Sequence, residues 1–524
     1  MIDLALILGA AAAAYALSFR LRIPPMPVLI VFGFVLARLP VAPGPDAART
    51  LVEFGLAVIV FGAGIELAPR RFAHQTRAVL WVALVQFVVV GFVGLWVARG
   101  LGFSEMASVY MGFGISASST LVVIRHLRSQ QQMFTPFGRL VTGVLLVQDI
   151  ALIALISALA AGPSAWADLL VAFGGFVVLG GAATAMHMWV LPLLTRRLQS
   201  DDETLLLVGL AILCGFIAAA YWLGLPFIAG AFLAGFAVAS FPASALMRGL
   251  IGSVSDFFQA LFFTALGALL VFPSGAVIFH ALVFSVLVFV LTPPVVTFVA
   301  ERCGQNARSG IESGLLLAQT SELSIIFALA GVQFGHIGMG EFTTIALVAA
   351  ITMSVTPFVA TDGVTWKLLH LHPARRGKIP SLDLKDHIVV LGFGGAGMWV
   401  VKPLLAKGHR VLVVDDDPAV IESLNHAKVE CWRGDGSDER TLETVHAREA
   451  RLVIAALPRI GDLLKVIRHT RGVRVLARVF EDSEARAVER AGGIPILNSE
   501  AGSTQFLEWF ENSQKTATDP ASRE

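Results

Sequence analysis

The sequence predicts a polytopic α-helical membrane domain of about thirteen spanning helices, followed by a water-soluble α/β domain. Three observations carry that prediction. Hydrophobic residues make up 56% of the 524 and charged residues 15%, a balance far too apolar for an ordinary soluble chain. No lysine occurs before Lys367, whereas from Lys378 onward Arg, Asp and Glu are dense. A strand-like run, a glycine turn and an amphipathic run follow one another in "DHIVVLGFGGAGMWVVKPLL", residues 386–405. The step in composition falls at "WKLLHLHPARRGKIPSLDLKD", residues 366–386. It divides the chain into a membrane domain (1–366), a linker (367–384), an α/β domain (385–510) and a tail (511–524) whose composition predicts disorder.

Runs of about 17–25 apolar residues are candidate transmembrane helices. They lie near 3–19, 26–38, 51–67, 78–98, 105–126, 139–161, 167–193, 203–222, 225–241, 250–273, 275–300, 309–334 and 341–365. If the α/β domain is cytoplasmic, alternate loops should hold the arginines. Inside loops hold Arg20, Arg22, Arg70, Arg71, Arg77, Arg125, Arg128, Arg139, Arg196, Arg197, Arg248, Arg302 and Arg308, outside loops only Arg38, Arg49 and Arg99. This puts the N-terminus outside. The first run, "LALILGAAAAAYALS", has no basic residue before it and is expected to be an uncleaved helix rather than a signal peptide. Cys214, Cys303 and Cys431 have neither disulfide nor metal-site spacing.

The sixth span, "VTGVLLVQDIALIALISALA" (141–160), places Asp149 beside Gln148 near mid-membrane. A charged Asp there costs roughly 2.5–3.5 kcal/mol on insertion scales, so an intramembrane carboxylate is by default a functional candidate. Thr142 and Ser157 fall near the same helix face, making a thin polar stripe with Asp149. The bland alternative is a protonated Asp that links two helices structurally.

Two other spans have unusual centres. The fifth reads "MGFGISASSTLVVI" (111–124) and the twelfth "SGLLLAQTSELSIIF" (313–327). Small and hydroxyl residues tolerate unwound backbone at membrane depth where it lines a cavity. Interrupted helices at comparable places in two halves point to inverted repeats and a secondary transporter with a midplane site. Small-residue helix packing is the alternative for either span alone.

On these residues the chain resembles the monovalent cation:proton antiporter-2 family, close to Kef-type potassium efflux systems. The matching stretches are Ser116 to Thr120 ("SASST"), Gln148 and Asp149, "GLPFIAGAFLAGF" (224–236), "FFTALGA" (262–268) and "SEL" (321–323). The resemblance implies a dimeric inner-membrane protein whose two broken helices cross in a mobile core domain. It implies that Asp149 binds cation and proton in turn, with Gln148, Ser118, Ser119, Thr120, Thr320, Ser321 and Glu322 as further ion- or proton-binding residues. Burial raises a carboxylate's pKa and a bound cation lowers it, so one group can couple two fluxes. With a neutral amide at Gln148, one-for-one electroneutral exchange is the simpler expectation. Two departures stand out. Where the family often has a lysine in the eleventh span, this chain reads "FVLTPPVV" (289–296), and Ser321 stands where glycine is usual. Glu322 is left as a protonated group, a solvated one or a second cation ligand.

In the α/β domain, Gly392, Gly394 and Gly397 form G-x-G-x-x-G between a strand and a helix, and the next strand ends at Asp415. That is the dinucleotide-binding arrangement, in which amides approach a phosphate at a helix N-terminus and the acid accepts ribose hydroxyls; the alternative is a Rossmann-like scaffold whose pocket is empty or degenerate. Further strands are expected at "VECWRG", "RLVIAAL", "RVLARVF" and "IPILNS", six in all, giving a Rossmann-like fold. "VVDDDP", "RGDGSDERTL" and "LARV" resemble the TrkA-N, or regulator-of-potassium-conductance, domain. The resemblance makes Asp415 the ribose ligand, Asp435 and Ser437 adenine-side residues and Arg478 a phosphate or interface contact. The regulatory ligand would be an adenine nucleotide, AMP or NAD(H). No companion C-terminal domain is expected.

The function expected is a cation:proton antiporter, for potassium first and sodium as the alternative, gated by nucleotide. Partners would be cation, proton, nucleotide, membrane lipid and a second copy of the chain, with no catalytic cofactor, metal centre or nucleic acid. A nucleotide-regulated potassium channel would need a carbonyl filter, and no Gly-Tyr-Gly turn is present. A membrane-anchored NAD-dependent oxidoreductase would need a substrate domain and far fewer helices.

Overall fold

A computed structural model describes residues 2–21, 23, 25–40, 44–65, 76–130, 132–133, 135–160, 166–192, 202–239, 243–372, 384–393 and 397–497. The chain forms two compact units, one built from Met1–Arg128, Met133–Cys303 and Arg308–Leu368, the other chiefly from Leu369–Glu524.

The first unit is helical, and every span predicted from sequence carries a helix. In order these are α1 (Ile2–Leu21), α2 (Pro25–Leu36), α3 (Pro45–Ile65), α4 (Thr76–Gly100), α5 (Glu105–Gly114), α6 (Thr120–Ser129), α7 (Pro136–Ala160) and α8 (Trp166–Ala185). They continue as α9 (Asp202–Trp222), α10 (Phe227–Val238), α11 (Ala243–Leu269), α12 (Gly275–Arg302), α13 (Ala307–Leu317), α14 (Glu322–Gln333) and α15 (Met339–Val359). Among the described residues six helices are long and apolar enough to cross a membrane, or seven if α13 and α14, bent by 41°, count as one broken span. The outward surface is apolar: Phe19, Trp96 and Trp222 are 89%, 72% and 84% exposed. In water such a face would be a liability; in lipid it is solvated.

Helices approach closely where glycine allows it. A Cβ on Gly235 of α10 would lie 2.1 Å from the Phe61 carbonyl oxygen of α3, so backbones meet there. The fifth and twelfth predicted spans are each split. α5 and α6 are separated by residues 115–119, and α13 and α14 by residues 318–321.

A further helix, α16 (Asp362–Leu371), runs through position 367, where the linker was expected to begin. Its inner face explains why. Thr365 is buried, and the guanidinium of Arg308, paired with Glu312 at 2.9 Å, lies 4.9 Å from the Trp366 ring.

The second unit contains all six expected strands: β1 (Ile388–Leu391), β2 (Val411–Asp415), β3 (Cys431–Arg433), β4 (Leu452–Ala455), β5 (Val475–Val479) and β6 (Ile494–Leu497). They form a parallel sheet in the order β3-β2-β1-β4-β5-β6. β1 and β2 are buried throughout, as a parallel sheet covered on both faces requires. The helices are α17 (Gly397–Ala406), α18 (Pro418–His426), α19 (Glu439–Thr444), α20 (Ile460–His469) and α21 (Asp482–Arg490). Strand order reverses between β1 and β4, the place where open α/β sheets bind ligands. The expected residues 498–510 of this domain, and the tail, lie outside the described residues.

Candidate functional site

Splitting a helix inside a bilayer leaves orphan N–H and C=O groups at both new ends, with no water to satisfy them. The local sequence favours the split. Ser116 turns its hydroxyl back onto the Phe113 carbonyl at 2.8 Å, which competes with helix propagation. The orphan groups then find partners. The Ser116 carbonyl accepts from Gln86 Nε2 of α4 at 2.8 Å, and the Ser118 amide donates to Gln148 Oε1 of α7 at 3.0 Å. In the second break the Thr320 amide donates to Thr352 Oγ1 at 3.0 Å, and Thr356 Oγ1 donates to the Ala318 carbonyl at 3.4 Å. Ser321 caps α14, its hydroxyl accepting from the Leu323 amide at 3.1 Å.

The two breaks are also bonded to each other. The Ser321 amide donates to the Ala117 carbonyl at 2.8 Å, and Ser118 Oγ donates to the Leu317 carbonyl at 2.7 Å. Irregular backbone from the two halves of the membrane unit therefore meets at one point.

Asp149 lies beside that point. It is 4% exposed, and its Oδ2 accepts from Thr120 Oγ1, the first residue of α6, at 3.1 Å. Glu322 is the first residue of α14 and 5% exposed, where the positive end of a helix favours an anion. Gln319 Oε1 and Thr320 Oγ1 are buried and have no hydrogen-bond partner among the described residues. Leaving oxygen acceptors unsatisfied in an apolar interior is costly unless a ligand meets them. A buried carboxylate with a hydroxyl oxygen against it suits a small hard cation, or a proton, rather than an organic substrate.

Of the residues predicted from sequence, Ser118, Thr120, Gln148 and Asp149 gather at the first break and Thr320, Ser321 and Glu322 at the second. Ser119 accepts from the Val122 amide at 3.4 Å and so caps α6. On α7 the other two members of the expected polar stripe do not reach other segments through their hydroxyls. Thr142 and Ser157 spend their hydroxyls on their own helix, bonding the Gly138 and Ile153 carbonyls at 2.7 and 2.9 Å. Back-bonding to the residue four earlier is the cheap way to bury a helical hydroxyl. Sequence reasoning missed Gln86, Thr352 and Thr356. Gln86 had a signal, as the single polar residue of "AVLWVALVQFVVVGFVGLWVA", residues 78–98.

The second candidate site is the glycine turn after β1. Gly392 has φ +77°, and a Cβ there would lie 3.1 Å from the Ala456 carbonyl oxygen at the end of β4. Asp415 braces the turn: its Oδ2 accepts from the Phe393 amide at 2.7 Å and its Oδ1 from the Asp417 amide at 2.9 Å. Asp435 Oδ1 accepts from both the amide and the hydroxyl of Ser437 at 2.8 Å, shaping the loop after β3. A Cβ on Gly436 would meet Leu391 Cβ at 3.1 Å, so this loop lies against the end of β1. Gly397 opens α17, while Gly394 lies outside the described residues. Arg478 stands on β5, two strands from β1 and roughly 10 Å across the sheet, with its guanidinium 4.9 Å from the Phe480 ring. Burial first, then the charges of Asp435, Asp415 and Asp417, push Asp416 up to about 7. Among the described residues, Gly392, the start of α17 and Asp415 are the parts that a phosphate- and ribose-binding arrangement would use.

Residues 6–366 match the family described as sodium/hydrogen exchanger, transmembrane, and residues 388–498 match the TrkA-N domain. The glutathione-regulated potassium-efflux system protein KefC of Klebsiella pneumoniae (strain 342) is 25% identical over 516 residues, covering 94% of this chain and 81% of that one. The putative cation/proton antiporter YbaL of Escherichia coli (strain K12) is 23% identical over 519 residues, covering 92% of each. Among solved structures, the sodium proton antiporter MjNhaP1 of Methanocaldococcus jannaschii is similar in fold, with TM-score 0.56 and 13% identity, over 70% of this chain and 97% of that one.

Proposed function

The chain belongs to the sodium/hydrogen exchanger family, with a TrkA-N domain behind its membrane region, and from that premise we propose that it exchanges a monovalent cation for a proton across the cell membrane. The observation that carries the reading is Asp149, buried beside two helix breaks that are bonded to each other. Facing one side, the carboxylate takes a proton; facing the other, it releases that proton and takes a stripped cation, with Thr120 Oγ1 and the oxygens of Gln319 and Thr320 replacing lost hydration. Potassium is the cation favoured, because KefC is named a potassium-efflux system; sodium is the alternative. The protein acts as a homodimer in the inner membrane, N-terminus outside, with the nucleotide domain in the cytoplasm. Dissipation of a pH gradient in proteoliposomes, with K+, Na+ or Li+ added in turn, tests the exchange. A gradient that decays equally without any of the three contradicts it.

Gln148 is an amide, so only one titrating group stands at this point of α7 and exchange is one-for-one. Imposing a membrane potential of either sign is expected to leave the initial rate unchanged. A rate that rises with one polarity and falls with the other overturns the stoichiometry.

An adenine nucleotide, AMP or NAD(H), is the regulatory ligand. Gly392, Gly394 and Gly397 hold its phosphates, Asp415 its ribose, Asp435 and Ser437 its adenine side, and Arg478 a phosphate or interface contact. Asp416 would add a pH dependence to that binding. Burial and the charges of Asp435, Asp415 and Asp417 push its carboxyl up to about 7, and a nucleotide phosphate bound close to it would raise it further. Binding therefore takes up a proton, and affinity falls as pH rises through about 7. Calorimetric titration of the full chain with AMP or NADH is expected to show roughly two- to tenfold weaker binding at about pH 8 than at about pH 6. Equal affinity at both contradicts the role given to this loop.

A further inference from the structure

The first break is closed by two amide side chains that the exchange chemistry does not itself require. The Ser118 amide donates to Gln148 Oε1 at 3.0 Å, Gln148 Nε2 donates to Gln86 Oε1, and Gln86 Nε2 donates to the Ser116 carbonyl at 2.8 Å. These bonds form a ring that begins and ends on the two residues flanking Ala117. Gln86 is 1% exposed and Gln148 fully buried. The direction of the ring is forced, since a backbone N–H only donates and a backbone C=O only accepts. Each glutamine must therefore accept through oxygen and donate through nitrogen. A carboxylate at either position sets acceptor against acceptor, and an apolar side chain leaves buried backbone groups unmatched.

We propose that Gln86 is a positioning residue for cation exchange. Through Gln148 it fixes the turn from Ser116 to Ser118, which aims the Ala117 carbonyl at the Ser321 amide and sets Thr120 against Asp149. The inference rests on the antiporter reading and assigns part of that site to α4, a helix that contributes no titrating group to it. The residue before Asp149 is then an amide for a second reason: it must supply the donor that Gln86 Oε1 receives.

Rates of pH-gradient dissipation by the full chain in proteoliposomes, measured against K+ and Na+ concentration, test this. Gln86→Met is expected to raise the half-saturating cation concentration about tenfold while the maximal rate stays within about twofold. Gln148→Glu and Gln86→Lys, each alone, break the ring's polarity and are expected to do at least as much. Combined, they restore it. The new carboxylate accepts from the Ser118 amide, and the new ammonium donates both to it and to the Ser116 carbonyl. The pair is expected to recover half-saturation to within about threefold of wild type. A residue that only filled space would lower the rate alike at every cation concentration and would not be rescued. Wild-type half-saturation in Gln86→Met, or no recovery in the pair, overturns the proposal. Asp149→Asn, run in parallel, reports on the antiporter reading separately.

Discussion

Asp149→Asn is expected to abolish cation-dependent dissipation of a pH gradient, with a loss of at least about a hundredfold for K+, Na+ and Li+ alike. An amide has the shape of the carboxylate but cannot release a proton or neutralise a cation. Removing one partner from a buried charged pair costs about 3–5 kcal/mol, or roughly two to three powers of ten in affinity. Folding should be spared. The hydroxyl of Thr120, 3.1 Å from Oδ2 in the native protein, can donate equally to an amide oxygen, and the variant no longer buries a charge. A melting temperature at or above that of wild type, together with lost exchange, is the combination that identifies Asp149 as the coupling group. Normal exchange by this variant removes it from the mechanism.

Gly392→Val should silence the nucleotide domain while leaving the membrane unit able to exchange ions. A β-branched residue at φ +77° enters backbone space that costs about 1–3 kcal/mol, and its Cβ would press on the Ala456 carbonyl at 3.1 Å. The turn must then move away from β4, breaking the bond from the Phe393 amide to Asp415. Nucleotide-induced thermal stabilisation of the full chain is expected to vanish, with affinity for AMP or NADH lowered at least about tenfold. Exchange in the absence of nucleotide serves as the control for folding. Unaltered nucleotide affinity shows that the ligand binds elsewhere on the domain.

Much of this molecule is written in local patterns. Apolar run length placed the helices, and β-branched runs punctuated by glycine placed all six strands. Asp149 stood out as a candidate by its cost, since a carboxylate in mid-membrane is by default a functional candidate. The breaks at Ser116–Ser119 and Ala318–Ser321 were legible in clustered serines and threonines. What stayed hidden was partnership. Whether a hydroxyl serves only its own helix, as those of Thr142 and Ser157 do, or also meets another segment, as those of Thr352 and Thr356 do, depends on what lies opposite. Sequence does not contain that information until the helices are arranged. Gln86 was visible as an oddity, but its meaning required Gln148 and the Ser116 carbonyl to arrive from 62 and 30 residues away. The first lysine, Lys367, marks a change of composition, whereas the helix α16 that crosses it is set by which side chains find a surface.

The bonds from Ser321 to Ala117 and from Ser118 to Leu317 tie the interrupted spans into a single knuckle. If the proposed exchange moves this centre, these bonds keep the two spans together as it moves. On that reading Asp149 and Glu322 would change sides of the barrier in one stroke, with the surrounding helices sliding past a rigid centre.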